Sequence, residues 1–186
     1  ARRAGVLALM GSQQRGGPHF GKAVEIVRSG RLGRVLHVEC WNYHHVGNRG
    51  GRPPDGPPPA GLDWERWLGP APLVPYNPLR LGYSWWFDYG GGMMTNWAVH
   101  HIDTILWAMG PAAPRSATCA GGLLAADTAS DAPDLIEASW EFPGWVLRYT
   151  YSGFSNHHRV QSRPHHHGIL FLGDKGSMVL DRRGFD

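Results

Sequence analysis

One predicted helix carries the side chains best suited to chemistry. Asn96, His100 and Asp103 recur at helical spacing, so they share one face of the segment that we predict as a helix over residues 93–109. Histidine is the usual proton donor or acceptor near neutral pH, whereas an asparagine amide can hydrogen-bond a hydroxyl but cannot take a proton. His100 is therefore a candidate acid/base. The spacing equally allows an amphipathic surface helix whose polar face meets water.

The surroundings of this helix favour a functional role over simple solvation. Two tryptophans flank the polar face, and water-facing helices rarely carry so much aromatic surface. The glycines at 90–92 allow another chain segment or a ligand to approach closely at the helix start. His101 lies farther round the helix and suits a packing or supporting role. Asp103 could orient His100 or form a local ion pair.

Runs of histidine elsewhere raise the hypothesis of a metal site. They lie at 44–45, 157–158 and 165–167. Adjacent residues of an extended segment point to opposite faces, so such runs chelate a metal poorly. We predict no metal site. The sequence also contains no serine-nucleophile elbow, no P-loop and no glycine-rich dinucleotide fingerprint.

Composition limits the class of protein. With 186 residues, 42% hydrophobic and 18% charged, the chain is long enough and apolar enough for one globular domain. The formal charge of +3 comes from scattered arginines, so we predict no nucleic-acid partner. No apolar run is long enough for a membrane span, and we predict no membrane partner. Residence in the cytoplasm and export to the periplasm both stay open.

The order of predicted elements indicates an α+β fold. Helices are predicted over 18–28 and 93–109, with one helical turn over 64–69 whose two tryptophans would hold a proline-rich loop over 44–75. Strands are predicted over 6–10, 33–43, 116–121, 135–141, 146–152, 168–172 and 177–180. Late hairpins after early helices predict a large, mostly antiparallel open sheet with helices on one face.

The run from Gly90 to Asp103 resembles a known signature. It is similar to the G-G-G-x-x-x-D-x-G-x-H-x-x-D pattern of the Gfo/Idh/MocA oxidoreductases, the relatives of glucose–fructose oxidoreductase and inositol dehydrogenase. Residues 62–70 resemble the D-W-x-x-W-L-G-P segment of its larger bacterial members, and residues 32–35 and 173–177 resemble two further family motifs. The resemblance extends over nearly the whole chain.

This resemblance implies a domain organisation and a set of partners. Family members have a dinucleotide-binding domain followed by an α/β domain with a large open sheet. Residues 1–186 would then be a single substrate and oligomerisation domain, truncated at both ends and lacking the N-terminal dinucleotide-binding domain. The implied cofactor is NAD or NADP, bound mainly by that missing domain. The implied partners are a sugar or polyol substrate and further copies of the chain, joined through the sheet.

The resemblance also implies roles for individual residues. The catalytic histidine of the family falls on His100, and its aspartate falls on Asn96, which would keep hydrogen bonding but lose proton transfer. Arg15, Trp86, His101 and Asp103 are implied for the substrate pocket.

Three functions follow from the resemblance. The first is the substrate-binding and catalytic half of an NAD(P)-dependent sugar or polyol oxidoreductase, with His100 as acid/base and with the isolated chain inactive. The alternatives are an NAD-dependent glycoside hydrolase of the same family and a non-catalytic sugar-binding or oligomerising module.

Overall fold

The structure, a computed structural model, describes residues 2–43, 51–154 and 166–186, and six strands in them form one sheet. The strands are β1 (Val35–Tyr43), β2 (Ser116–Gly122), β3 (Leu135–Phe142), β4 (Trp145–Ser152), β5 (His167–Gly173) and β6 (Ser177–Leu180). Their order is β2-β3-β4-β1-β5-β6. β1 runs parallel to β4, and the other neighbouring pairs are antiparallel. The predicted α+β class and mostly antiparallel sheet are confirmed.

The described helices are three α-helices and five shorter helical segments. The α-helices are α1 (Pro18–Arg28), α2 (Trp64–Leu68) and α3 (Val99–Met109). A π-helical turn, Met94–Ala98, leads directly into α3. The 3₁₀ segments are Arg2–Ala4, Gln13–Gly16, Pro78–Leu81 and Tyr83–Trp85.

The core lies between one face of the sheet and the pair α1 and α3. Buried apolar side chains alternate along the central strands, as the period of two in a strand requires. The largest that are fully covered include Val38, Leu147, Tyr149, Ile169 and Phe171. Phe20, Ala23, Val24 and Val27 complete this core from α1. Arg28 also donates to the carbonyl of Trp107 in the last turn of α3, which ties the two helices together.

The opposite face of the sheet is more polar. Glu137 accepts hydrogen bonds from Arg148 Nη2 and Thr150 Oγ1, each at 3.0 Å. Val146, two residues before Arg148 on β4, lies on the same face and is 37% exposed. No described helix packs across this face in the way that α1 and α3 cover the other.

The predicted helical turn in the proline-rich region forms as α2. The Asp63 carboxylate accepts a hydrogen bond from the Arg66 backbone N–H at 3.0 Å, which caps the helix start. Trp64 and Trp67 stack with ring centres 4.8 Å apart, and Trp67 meets Tyr89 edge-on at 5.0 Å. These tryptophans therefore hold the described part of the long loop against the residues that precede the π turn.

The strand predicted over residues 6–10 is wrong. These residues are irregular, and Leu7 and Leu9 are 97% and 94% exposed. A strand requires a partner for its backbone hydrogen bonds, and no described strand pairs with this segment. The apolar pattern alone therefore gave the wrong local structure.

Candidate functional site

The helix predicted over residues 93–109 forms, but its buried side differs from the prediction. Helical periodicity places Ala98, Ile102, Ile105, Leu106 and Met109 on one apolar stripe. Ala98 and Ile105 are buried, but Ile102, Leu106 and Met109 are only partly buried, and the other buried residues of α3 are His101, Thr104 and Ala108. The buried side is thus rotated towards two polar residues. Thr104 is accommodated there because its hydroxyl donates to the side-chain carbonyl of the buried Gln14 at 2.9 Å.

The three glycines bring chain segments close together at the helix start, as predicted. Gly91 and Gly92 have φ angles of +69° and +79°, which favour glycine. A Cβ atom at Gly90 would lie 2.8 Å from the Cα of Ser84, and one at Gly92 would lie 3.1 Å from the Cβ of Ala132. The glycine run therefore serves close backbone packing around the π turn.

His100 lies at the edge of an open cavity of about 450 Å³. The cavity is lined by Gln13, Gln14, Phe20, His100 and Arg182. Burial lowers the pKa of His100 below its usual 6.5, the positive charge of Arg182 lowers that pKa further, and Asp103 opposes the shift. His100 is consequently neutral at pH 7 and able to accept a proton.

Arg15 and Asp103 form a bidentate ion pair beside this cavity. Arg15 Nε donates to Oδ2 and Nη2 donates to Oδ1 of Asp103, each at 2.7 Å. The hydrogen bonds with Asp103 raise the pKa of Arg15 above its usual value. The Arg15 guanidinium also lies 5.3 Å from the ring centre of Trp107. The structure thus gives Asp103 an ion-pair partner that is distant in the sequence, rather than a local one.

Asn96 links the π turn to the segment before the glycines. Its Nδ2 donates to the hydroxyl of Ser84 at 3.1 Å, and its backbone N–H donates to the carbonyl of Gly92 at 3.0 Å. The first contact fixes the orientation of the amide at the site where the family pattern has an aspartate.

His101 and Trp86 lie among packed side chains, and neither lines the cavity beside His100. The His101 ring is 1% exposed and stacks on His167 with ring centres 5.7 Å apart. Trp86 is 6% exposed, donates through Nε1 to the carbonyl of Leu79, and lies under the guanidinium of Arg80 at 4.2 Å. Their role in a substrate pocket stays a prediction, and little of either side chain is available for one.

Arg182 is a cavity residue that the sequence analysis missed. It occupies the second position of a turn in which Asp181 Oδ1 accepts from the backbone N–H groups of Arg183 and Gly184, at 2.7 and 3.2 Å. The Arg182 guanidinium lies 4.3 Å from the ring centre of Trp97. An aspartate followed three residues later by glycine is a turn signal, but it does not predict which site the turn faces.

The histidine runs give no metal centre in the part of the chain that the structure covers. Residues 44–45, 157–158 and 165 lie outside the described residues. Among the described residues, no group of three or more histidine, cysteine, aspartate or glutamate side chains could hold a metal ion. None of the helices in the described residues combines the length and the apolar character needed to cross a membrane.

Comparison with known proteins establishes the family. A family model described as "Oxidoreductase family, C-terminal alpha/beta domain" matches residues 22–119, and one described as "GFO/IDH/MocA C-terminal domain" matches residues 73–179. The chain therefore belongs to the Gfo/Idh/MocA oxidoreductase family and corresponds to its C-terminal domain. A search of curated proteins found no significant match.

Solved structures share the fold. GenD2 from gentamicin A biosynthesis, solved with NAD, is 19% identical to this chain and superposes on it with a TM-score of 0.61. The match covers 97% of this chain and 41% of the GenD2 chain. WlbA dehydrogenase from Bordetella pertussis, solved with NADH and UDP-GlcNAcA, is 19% identical with a TM-score of 0.62. This match covers 96% of this chain and 44% of the WlbA chain. Aldose-aldose oxidoreductase from Caulobacter crescentus, solved with glycerol, is 17% identical with a TM-score of 0.61. This match covers 97% of this chain and 42% of the oxidoreductase chain. The chain thus spans about two fifths of their length.

Proposed function

We propose that this chain is the substrate-binding and catalytic half of an NAD(P)-dependent oxidoreductase that acts on a sugar or polyol. The observation that carries the proposal is the placement of His100, a histidine with a lowered pKa, at the edge of an open cavity. The position matches the histidine of the family signature. A neutral imidazole near neutral pH is the form that accepts a proton from a hydroxyl group.

The proposed reaction assigns a distinct task to each group near the cavity. His100 takes the hydroxyl proton of the sugar carbon that is oxidised, and it returns a proton in the reverse reaction. The positive imidazolium formed in this step is favoured by Asp103 and opposed by Arg182, as the causes of the pKa shift indicate. Asn96, oriented by Ser84, is placed one helical turn before His100 and can hydrogen-bond the substrate but cannot relay a proton.

A nicotinamide nucleotide would supply the hydride acceptor. The described residues do not form the usual cradle for its diphosphate, a glycine-rich turn between a strand and a helix. α1 follows the 3₁₀ turn Gln13–Gly16, and the glycines before α3 follow the 3₁₀ turn Tyr83–Trp85. We therefore propose that a separate nucleotide-binding domain holds NAD or NADP. The presence of NAD or NADH in similar solved structures supports a nicotinamide cofactor.

We further propose that copies of the chain associate through the polar face of the sheet. On this face, the exposed Val146 lies two residues from Arg148, which pairs with Glu137, and the side chains of this ion pair are 44% and 29% exposed. A mixture of half-exposed apolar groups and paired charges suits an interface between subunits. Sedimentation of the protein with Val146→Glu would test this assignment, and an unchanged oligomeric state would contradict it.

The experiment that tests the function uses the full-length protein. NADH or NADPH formation is measured with a panel of sugars and polyols for the wild type, His100→Ala and His37→Ala. His37, on the other face of the sheet, controls for the loss of a histidine. Selective loss of activity in His100→Ala supports the proposal, and full activity in that variant contradicts it.

Release of nitrophenol from aryl glycosides without net NADH would instead assign glycoside hydrolysis. Sugar binding without turnover would assign a non-catalytic module.

A further inference from the structure

Arg182 brings an unmatched positive charge to the cavity beside His100. Arg15, beside the same cavity, is paired with Asp103 of α3 through two hydrogen bonds of 2.7 Å. In the parts of the chain that the structure describes, Arg182 forms no ion pair, and its guanidinium lies over the ring of Trp97. The neighbouring carboxylate of Asp181 accepts backbone N–H groups within its own turn. The local charges therefore leave one guanidinium available at the cavity.

The turn that carries Arg182 is held in place from both sides. The Asp181 backbone N–H donates to the carbonyl of Gly184 at 2.9 Å, which closes the turn after β6. The carbonyl of Asp181 accepts from His19 Nε2 at 3.1 Å, and His19 belongs to the first turn of α1. A carbonyl oxygen can only accept, so this nitrogen carries the proton. The turn is thus anchored to the sheet and to α1, and the Trp97 ring supports the guanidinium.

We propose that Arg182 recognises an anionic group, a carboxylate or a phosphate, on the sugar bound at His100. This inference rests on the proposed function and narrows its substrate to acidic sugars. A guanidinium matches both anions because its planar set of N–H donors can form paired hydrogen bonds with two oxygens. The lowering of the His100 pKa by Arg182 is consistent with the two side chains addressing one ligand.

The proposal is tested by binding to the full-length protein, measured by isothermal titration. D-glucuronate and D-glucose share the ring and differ at carbon 6, where one carries a carboxylate and the other a hydroxymethyl group. Glucose 6-phosphate distinguishes a phosphate from a carboxylate. We expect at least one of the acidic sugars to bind about tenfold more tightly than glucose in the wild type, the size of one charge-assisted hydrogen bond.

The variants separate recognition from a general effect of charge. Arg182→Gln should remove the preference for the acidic sugar over glucose, and Arg182→Lys should keep part of it. Arg183→Gln removes the same charge from the same turn and should keep the preference. A wild type without any preference, or a preference that survives in Arg182→Gln, overturns the proposal. Failure of the proposed function is recognised separately, because it leaves full turnover in His100→Ala or no oxidation of any sugar.

Discussion

Arg15 holds Asp103 through two parallel hydrogen bonds, from Nε to Oδ2 and from Nη2 to Oδ1, each 2.7 Å long. The pair joins the 3₁₀ turn Gln13–Gly16 to α3 across a large separation in the sequence. Both oxygens of the carboxylate are engaged by one cation, so Asp103 supports the site through its charge and its hold on the turn. Asp103 raises the pKa of His100, but burial and Arg182 together lower it by more, so the net shift is downward.

Two substitutions should move the pKa of His100 in opposite directions. Asp103→Asn removes the cause that raises it, so the pKa should fall further below 6.5. Arg182→Gln removes one cause that lowers it, so the pKa should rise towards 6.5. The measurement is titration of the His100 imidazole by NMR. Shifts in the same direction in both variants would contradict this account of the site.

The pH dependence of turnover should follow the same group. Since His100 accepts a proton only when neutral, kcat/KM should increase with pH on the acid side, with its midpoint below pH 6.5. In Arg182→Gln the acid limb should move to higher pH, because the pKa of the His100 imidazole is then higher. The measurement is a pH–rate profile of the full-length enzyme. An acid limb that is identical in the two proteins would exclude His100 as the titrating group.

The adjacent histidines should respond differently to substitution. His100→Gln should lower kcat by about 10²–10⁴-fold, the usual contribution of a general acid or base, with little effect on stability because His100 is only partly buried. His101→Ala should lower the free energy of unfolding by about 2–4 kcal/mol, because it empties a site filled by a buried ring. Denaturant unfolding and steady-state rates check both. Equal stability losses in the two variants would argue against the observed packing.

Asn96→Asp should restore the residue of the family pattern at a position one helical turn before His100. A carboxylate there should raise the pKa of His100 and increase kcat, because it stabilises the imidazolium formed on proton transfer. Ser84 should tolerate the change, since its hydroxyl can donate to a carboxylate as well as accept from the present amide. NMR titration and rate measurement test the variant. An unchanged rate would mean that the mechanism does not use this position.

The glycine run should be sensitive to the smallest possible substitution. Gly92→Ala should lower the free energy of unfolding by about 1–2 kcal/mol, because a positive φ disfavours alanine. The added methyl group would also press on Ala132. Gly21→Ala is the matched control within α1, where the nearest atom is 3.9 Å away, and it should stabilise the protein by about 0.5–1 kcal/mol. Thermal or denaturant unfolding of both variants gives the comparison.

Periodicity and turn signals were sufficient for most of the fold. The hairpin of β3 and β4, the pairing of β5 and β6, and the extent of α1 agree with the predicted elements to within about two residues, the usual uncertainty of such boundaries. The helix predicted over 93–109 agrees to the same degree only when the π turn Met94–Ala98 is counted with α3. Hydrophobic alternation specifies these elements because each buries one face against the same core.

The errors have identifiable physical causes. Thr104 is buried because its hydroxyl bonds to Gln14, a partner distant in the sequence that a hydrophobicity pattern does not reveal. Residues 6–10 have the apolar pattern of a strand but no described strand to pair with. Arg182 reaches the cavity through a turn at the far end of the sheet, and such a tertiary approach has no local signal in the sequence.

The parallel pairing of β1 with β4 has a consequence for folding. β1 is synthesised before the other strands, yet it lies between β4 and β5, where His37 pairs with Val146 on one side and with Leu172 on the other. Its hydrogen-bonding partners therefore emerge from the ribosome long after β1 itself. Contacts between such distant segments form slowly, whereas the β3–β4 hairpin is local. Until those partners are synthesised, the apolar side of β1 stays uncovered and is exposed to chaperones and to aggregation.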